Sequence, residues 1–147
     1  PSSIKFPRPL LNDKSYDFSF SGLKTAVIYH IKELKKENKD IPVRDILASF
    51  QQAVIDVLVE KTIEATIKFK TKQIILAGGV AANRSLRKEI TEKASLLNIK
   101  VFYPSIYLCT DNAAMVASAG YYKFKENKKS SLNLDAISRL PLERKNY

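Results

Sequence analysis

At 147 residues, the chain is long enough for one domain with a substantial hydrophobic core and too short for two comfortable ones. Hydrophobic residues make up 45% of it and charged residues 27%, which is typical of a globular protein rather than a disordered one. The longest apolar run, residues 74 to 82, is far short of the roughly 20 residues that a membrane span needs. We therefore predict a single domain over residues 1 to 147.

The net charge of +10 fits a nucleic-acid partner, but it fits equally well a lysine-rich surface without one. Lysine outnumbers arginine 19 to 6, whereas phosphate contacts favour the planar guanidinium group. The single cysteine, Cys109, excludes an internal disulfide, and no signal-peptide pattern opens the chain. These features predict a cytoplasmic protein.

The first half of the chain predicts one strand followed by two helices. Residues 1 to 15 contain three of the six prolines and predict an irregular linker. Polar and aromatic residues alternate in DFSFS, residues 17 to 21, which predicts a half-buried strand that Gly22 ends. Ser21 is a candidate cap for the helix that follows, and Pro42 lies at the start of the longest helical pattern.

The second half predicts two more strands, each followed by a helix. QIILAG, residues 73 to 78, is a continuous apolar run of the kind that a strand buried on both faces of a parallel sheet shows. Residues 81 to 97 predict a helix, residues 100 to 104 a short strand, and residues 111 to 124 a further helix. This order predicts the α/β class, with at least part of the sheet parallel.

Two adjacent glycines, Gly78 and Gly79, end the apolar run and precede a helix. Such a junction at the carboxyl end of a parallel strand is where α/β folds hold ligands, because the helix start offers unpaired N–H groups. A glycine pair also occurs where a chain merely turns, and neither GxxxxGK[ST] nor GxGxxG is present. Asn83 is either a helix N-cap or a side chain whose amide reaches the ribose or base of a nucleotide.

A second candidate lies in CTDNAAM, residues 109 to 115. Asp111 is either a helix cap or a metal ligand, and a metal would need further donors from elsewhere. The only histidine, His30, lies on the apolar face of its helix, which indicates a core or interface residue. Cys109 lacks a base partner in the sequence, which indicates a structural residue.

Three stretches closely resemble the tRNA N6-adenosine threonylcarbamoyltransferase family, which long carried the label O-sialoglycoprotein endopeptidase. They are DFSFSGLKTAV (17 to 27), ILAGGVAANRSLR (75 to 87) and CTDNAAMVA (109 to 117). FPRP at residues 6 to 9 and RLPLERK at residues 139 to 145 fit as well. The resemblance covers nearly the whole chain, with the motifs in the right order and spacing.

The resemblance implies part of an actin, sugar-kinase and Hsp70-like (RNase H-like) domain, with long helices packed on a small sheet. Family members transfer a threonylcarbamoyl group from threonylcarbamoyl-adenylate to the exocyclic amine of the adenosine next to the anticodon in tRNA. One divalent metal, iron or zinc, assists, and other subunits of the threonylcarbamoylation machinery take part. By this resemblance Asn83 contacts the nucleotide, Gly78 and Gly79 lie along its adenosine, and Asp111 is a metal ligand. The tRNA amine is the nucleophile, so we expect no catalytic residue here.

The chain also departs from the family pattern. The two metal histidines of the family, in an HxxxH arrangement, and its SGGH-type and acidic nucleotide motifs are missing. We therefore expect the C-terminal, nucleotide-binding portion of a longer two-domain enzyme, inactive and without metal when alone. The alternatives are a noncatalytic nucleotide-binding or scaffolding module of the same superfamily, and a metallopeptidase as in the older label. Phe18, Phe20 and residues 113 to 120 would face the missing part, and a homodimer through such a surface is a further expectation.

Overall fold

The computed structural model describes residues 3 to 135, which divide into two compact units. The first unit ends at Thr110, and the second begins at Asp111. The described residues form four α-helices and a parallel sheet of two strands, which confirms the predicted α/β class. The prediction of one domain stays a prediction, and RLPLERK lies outside the described residues.

Helix α1 spans Ser21–Lys36, and helix α2 spans Val43–Lys68 directly after Pro42, as predicted. The predicted strand at residues 17 to 21 is wrong, because α1 already begins at Ser21 and residues 16 to 20 pair with no strand in the part of the chain that the structure describes. The buried Lys61 ammonium instead donates to the carbonyl oxygens of Ser15 and Asp17, at 2.7 and 2.9 Å. Ser21 is not the cap either, since Phe20 occupies that position without a side-chain hydrogen bond.

The FPRP segment packs onto α1 and α2. Phe6 is buried in an apolar cluster and meets the half-buried His30 ring edge to face, with 5.8 Å between ring centroids. Arg8 donates from Nε and Nη2 to Oδ2 of Asp56, at 3.0 and 2.7 Å. Phe20 packs against the same cluster, whereas Phe18 is about half exposed. The segment predicted as a linker is therefore irregular but anchored to both helices.

The sheet consists of β1 (Gln73–Ile75) and β2 (Lys100–Phe102), connected by helix α3 (Arg84–Leu96). Helices α2 and α3 enclose the main core against this sheet; its buried members are Ile55, Val59, Ile63, Ile74, Leu86, Ile90 and Ala94. Ile74 faces the core, but Ile75, which alternates to the other face, is 75% exposed. The predicted burial of this strand on both faces is wrong for the described residues.

The second unit contains helix α4, Ala113–Lys125, which buries none of its own side chains. It begins two residues later than predicted. Its N-cap is Asn112, whose Oδ1 accepts a hydrogen bond from the Met115 N–H at 2.9 Å. None of the described helices combines the length and apolar character required to cross a bilayer.

Candidate functional site

The turn after β1 has an unusual backbone at a single glycine. Gly78 has φ +84° and ψ 171°, a region that residues with a side chain rarely adopt. A Cβ built on Gly78 would meet nothing within 4 Å, whereas one on Gly79 would lie 3.9 Å from Cγ2 of Thr110. Gly79 opens a 3₁₀ turn, Gly79–Ala82, that leads into α3. The predicted strand-to-helix junction is confirmed here but not at Gly22, which lies in the first turn of α1.

Asn83 caps α3 and also contacts α2. Its Oδ1 accepts a hydrogen bond from the Leu86 N–H at 3.0 Å, which confirms the capping interpretation. Its Nδ2 donates to Oε1 of Gln51 at 2.9 Å. Because the Gln51 side chain is exposed, it can turn away and free this amide for a ligand acceptor. The cap and a contact with a ligand are therefore compatible, since they use different atoms of the same side chain.

Asn83 and Gln51 lie at a mainly apolar cavity of about 310 Å³ between α2 and the start of α3. Its apolar lining includes Leu47, Phe50, Val54, Leu58, Val80 and Leu86. A cavity of this size lies at the lower end of the range of small-molecule sites, roughly 300 to 1,000 Å³. Apolar walls with two amide groups suit a flat heterocycle that carries hydrogen-bonding edges.

Arg87, which the sequence analysis did not single out, holds the turn in place. Its Nε donates to the Ala81 carbonyl, and its Nη2 donates to the Pro104 carbonyl at 2.8 Å and to Sγ of Cys109 at 3.0 Å. The guanidinium carbon lies 4.4 Å from the centre of the Tyr103 ring. Arg87 thus connects the 3₁₀ turn to residues 103 to 109, and the buried Cys109 is part of that connection. The only sequence signal was an arginine one helical turn after the N-cap.

Asp111 begins the second unit, and the structure assigns the helix cap to Asn112 instead. Within residues 3 to 135, no three histidine, cysteine, aspartate or glutamate side chains come together to hold a metal ion. One carboxylate without further donors does not fit a metal site. Three of the four predicted site residues lie in or next to one turn, namely Gly78, Gly79 and Asn83. Asp111 belongs to the second unit.

Comparison with known proteins points to one family. Its sequence model, described as tRNA N6-adenosine threonylcarbamoyltransferase, matches residues 2 to 118. Proteins with this same name are 47% identical over 141 residues in Thermosipho africanus (strain TCF52B) and 48% over 141 residues in Clostridioides difficile (strain 630). The alignments cover 96% and 95% of this chain but 42% and 41% of those relatives. The chain thus spans about two fifths of the length of the curated relatives that it matches.

Proposed function

Because the chain belongs to the tRNA N6-adenosine threonylcarbamoyltransferase family, we propose that it is the C-terminal, nucleotide-binding part of such a transferase. The complete enzyme would move a threonylcarbamoyl group from threonylcarbamoyl-adenylate to the exocyclic amine of the adenosine next to the anticodon in tRNA. The family match over residues 2 to 118 carries this proposal. Since the relatives are more than twice as long, the isolated chain is expected to be inactive.

In this proposal the glycine turn and Asn83 hold the adenosine part of the adenylate. The open space in front of Gly78 lets a ligand approach the backbone closely. The cavity beside Asn83 has the size and apolar lining that a base requires. Asn83 would exchange its bond with Gln51 for an acceptor on the nucleoside, while its Oδ1 stays bonded to the Leu86 N–H. Asn83 would therefore act only as a donor to the ligand.

The actin, sugar-kinase and Hsp70-like fold belongs to the same proposal. Its support is the parallel β1–α3–β2 unit, in which the turn after β1 leads into the crossover helix. Asp111 would supply one ligand to the iron or zinc of the complete enzyme, and the remaining ligands would lie outside this chain. The described residues do not form a metal site by themselves.

Threonylcarbamoyl-adenylate, tRNA and other subunits of the threonylcarbamoylation machinery are the partners in this proposal, in the cytoplasm. A homodimer through exposed apolar side chains stays a prediction. The relatives are named as transferases, which supports this activity over a metallopeptidase. No feature of the described residues favours a noncatalytic scaffold over an enzyme part.

The test compares Asn83→Ser with Asn83→Ala in the full-length protein that contains this chain. Serine keeps a capping oxygen but loses the amide, whereas alanine loses both. We expect both variants to bind a stable threonylcarbamoyl-adenylate analogue at least about 10-fold more weakly by calorimetry, since one hydrogen bond of about 1.4 kcal/mol is lost. Only the alanine variant should show a lower melting temperature.

Two results would count against the proposal. An affinity that falls in the alanine variant but not in the serine variant would reduce Asn83 to a helix cap. A full-length protein that forms no threonylcarbamoyl-tRNA from the adenylate and tRNA, with its partner subunits present, would refute the transferase itself.

A further inference from the structure

We propose that a basic groove on the outer side of α3 binds the phosphodiester backbone of the tRNA substrate. The groove has a volume of about 460 Å³ and lies between α3 and residues 103 to 106. Its lining includes Arg84, Arg87, Lys88, Glu92 and Tyr103. Arg87 and Tyr103 also border the site described above, whereas Arg84, Lys88 and Glu92 lie outside it. The inference rests on the proposed function, because that function makes RNA a substrate.

Two cations in this groove are available to a phosphate group. Arg84 is exposed, and its side chain makes no hydrogen bond or ion pair within residues 3 to 135. Lys88 is exposed too, and its Nζ lies 4.0 Å from the Glu92 carboxylate, at the outer limit of an ion pair. Glu92 is the only carboxylate among the lining residues, against three cations. The groove is therefore positive and suits a polyanion.

Tyr103 adds a surface on which a base can stack. Arg87 lies against its ring and is itself fixed by the Ala81 and Pro104 carbonyls, so the ring has a rigid support. The side chain is 44% exposed, which leaves part of the ring accessible from solvent. Aromatic rings between cations are what proteins use to hold single-stranded nucleic acids, with the bases stacked and the phosphates paired.

Arginine is the scarcer basic residue in this chain, which makes its position informative. Two of the six arginines line the groove, although lysine is three times as common overall. The guanidinium fork matches two phosphate oxygens at once, whereas an ammonium group acts as a point charge. An arginine-rich groove with an exposed tyrosine therefore favours RNA over an acidic protein as its occupant.

The test measures binding of a tRNA transcript to the full-length protein by fluorescence anisotropy at several salt concentrations. We expect the double variant Arg84→Gln/Lys88→Gln to bind at least about 10-fold more weakly, with a salt slope smaller by about 1.4 to 2. Its matched control, Lys35→Gln/Lys36→Gln, removes the same charge at the exposed end of α1 and should stay within about 2-fold of wild type. Thermal unfolding checks that both variants fold.

A second pair of variants tests stacking. Tyr103→Phe keeps an aromatic ring and should bind tRNA within about 2-fold of wild type, whereas Tyr103→Leu should bind at least about 5-fold more weakly.

Equal weakening of tRNA binding in the Arg84/Lys88 variant and its control would overturn the proposal, because the effect would then be one of net charge. If the Arg84/Lys88 variant lost binding to polyglutamate but kept its tRNA affinity, the groove would be assigned to an acidic protein instead.

The two proposals fail in different ways. Normal product formation together with unchanged tRNA affinity in the groove variants would remove the groove proposal and leave the transferase. If the wild-type full-length protein formed no product and the groove variants bound tRNA more weakly, the transferase proposal would be refuted and the RNA-binding groove would stand. A folded full-length protein with no measurable tRNA affinity would overturn the groove proposal outright.

Discussion

Replacing Gly78 by alanine should destabilise the first unit through the backbone alone. At φ +84° and ψ 171°, a residue with a side chain carries a conformational cost of about 1 to 3 kcal/mol. The added methyl group would meet no atom within 4 Å, so steric overlap contributes nothing further. We therefore expect the free energy of unfolding to fall by about 1 to 3 kcal/mol.

The neighbouring glycine provides a matched control. An alanine Cβ at Gly79 would contact Cγ2 of Thr110 at 3.9 Å, an ordinary van der Waals distance, and Gly79 does not have a positive φ. Gly79→Ala should therefore change the free energy of unfolding by less than about 0.5 kcal/mol, or raise it by up to about 1 kcal/mol through a stiffer unfolded chain. Two glycines in sequence should thus give opposite or clearly unequal results.

Urea unfolding followed by far-UV circular dichroism measures both variants, because the chain has no tryptophan and its helices dominate that signal. D-alanine at position 78, introduced by chemical ligation, is the decisive comparison. The Gly78 backbone is the mirror image of the extended region, so its conformation is one that a D-residue adopts readily. Equal losses for both alanine variants, or a D-alanine variant as unstable as the L-alanine one, would refute the conformational explanation.

Three further predictions concern single side chains. Arg87→Met should lower the free energy of unfolding, measured in urea, by about 2 to 4 kcal/mol, because three acceptors lose a charged donor. Arg87→Lys should recover only part of this stability. A loss below about 1 kcal/mol in Arg87→Met would contradict this role of the guanidinium group. Lys61→Met should lower the free energy of unfolding by about 1 to 3 kcal/mol and speed proteolysis at residues 13 to 20, since two carbonyls lose their donor. A segment as resistant to protease as in the wild type would argue against this role of Lys61. The hydrogen bond and charge of Lys39 hold the pKa of Glu37 below its ordinary value, so Lys39→Gln should raise that pKa in an NMR titration. This exposed pair stabilises the fold above the ordinary pKa of glutamate and loses that small effect as the pH falls through the lowered pKa; an unchanged titration would contradict the pairing.

Helix α2 and strand β1 were predictable from the sequence because their signals are local. The apolar spacing after Pro42 and the apolar run before Gly78 depend on near neighbours, and α2 and β1 lie where these patterns indicate. The strand at residues 17 to 21 failed for the opposite reason. Alternation is a local pattern, but a strand exists only if another strand pairs with it. Here the Lys61 side chain takes two nearby carbonyls instead.

In the candidate site, too, local features were predictable from the sequence, and contacts between distant residues were not. The sequence by itself determined that a glycine stands where the turn has a positive φ and that an N-cap residue, Asn83, stands before α3, since both conformations favour particular residue types at one position. The contacts of Gly78, Gly79 and Asn83 with a nucleotide stay a prediction. The role of Asp111 stays a prediction. Only the tertiary structure decided that Gln51 bonds to Asn83, although 32 residues separate them along the chain. Only the tertiary structure, too, decided that Arg87 joins the 3₁₀ turn to Pro104 and Cys109. Such contacts depend on how α2 packs on α3 and where the chain returns after β2, which local periodicity does not specify.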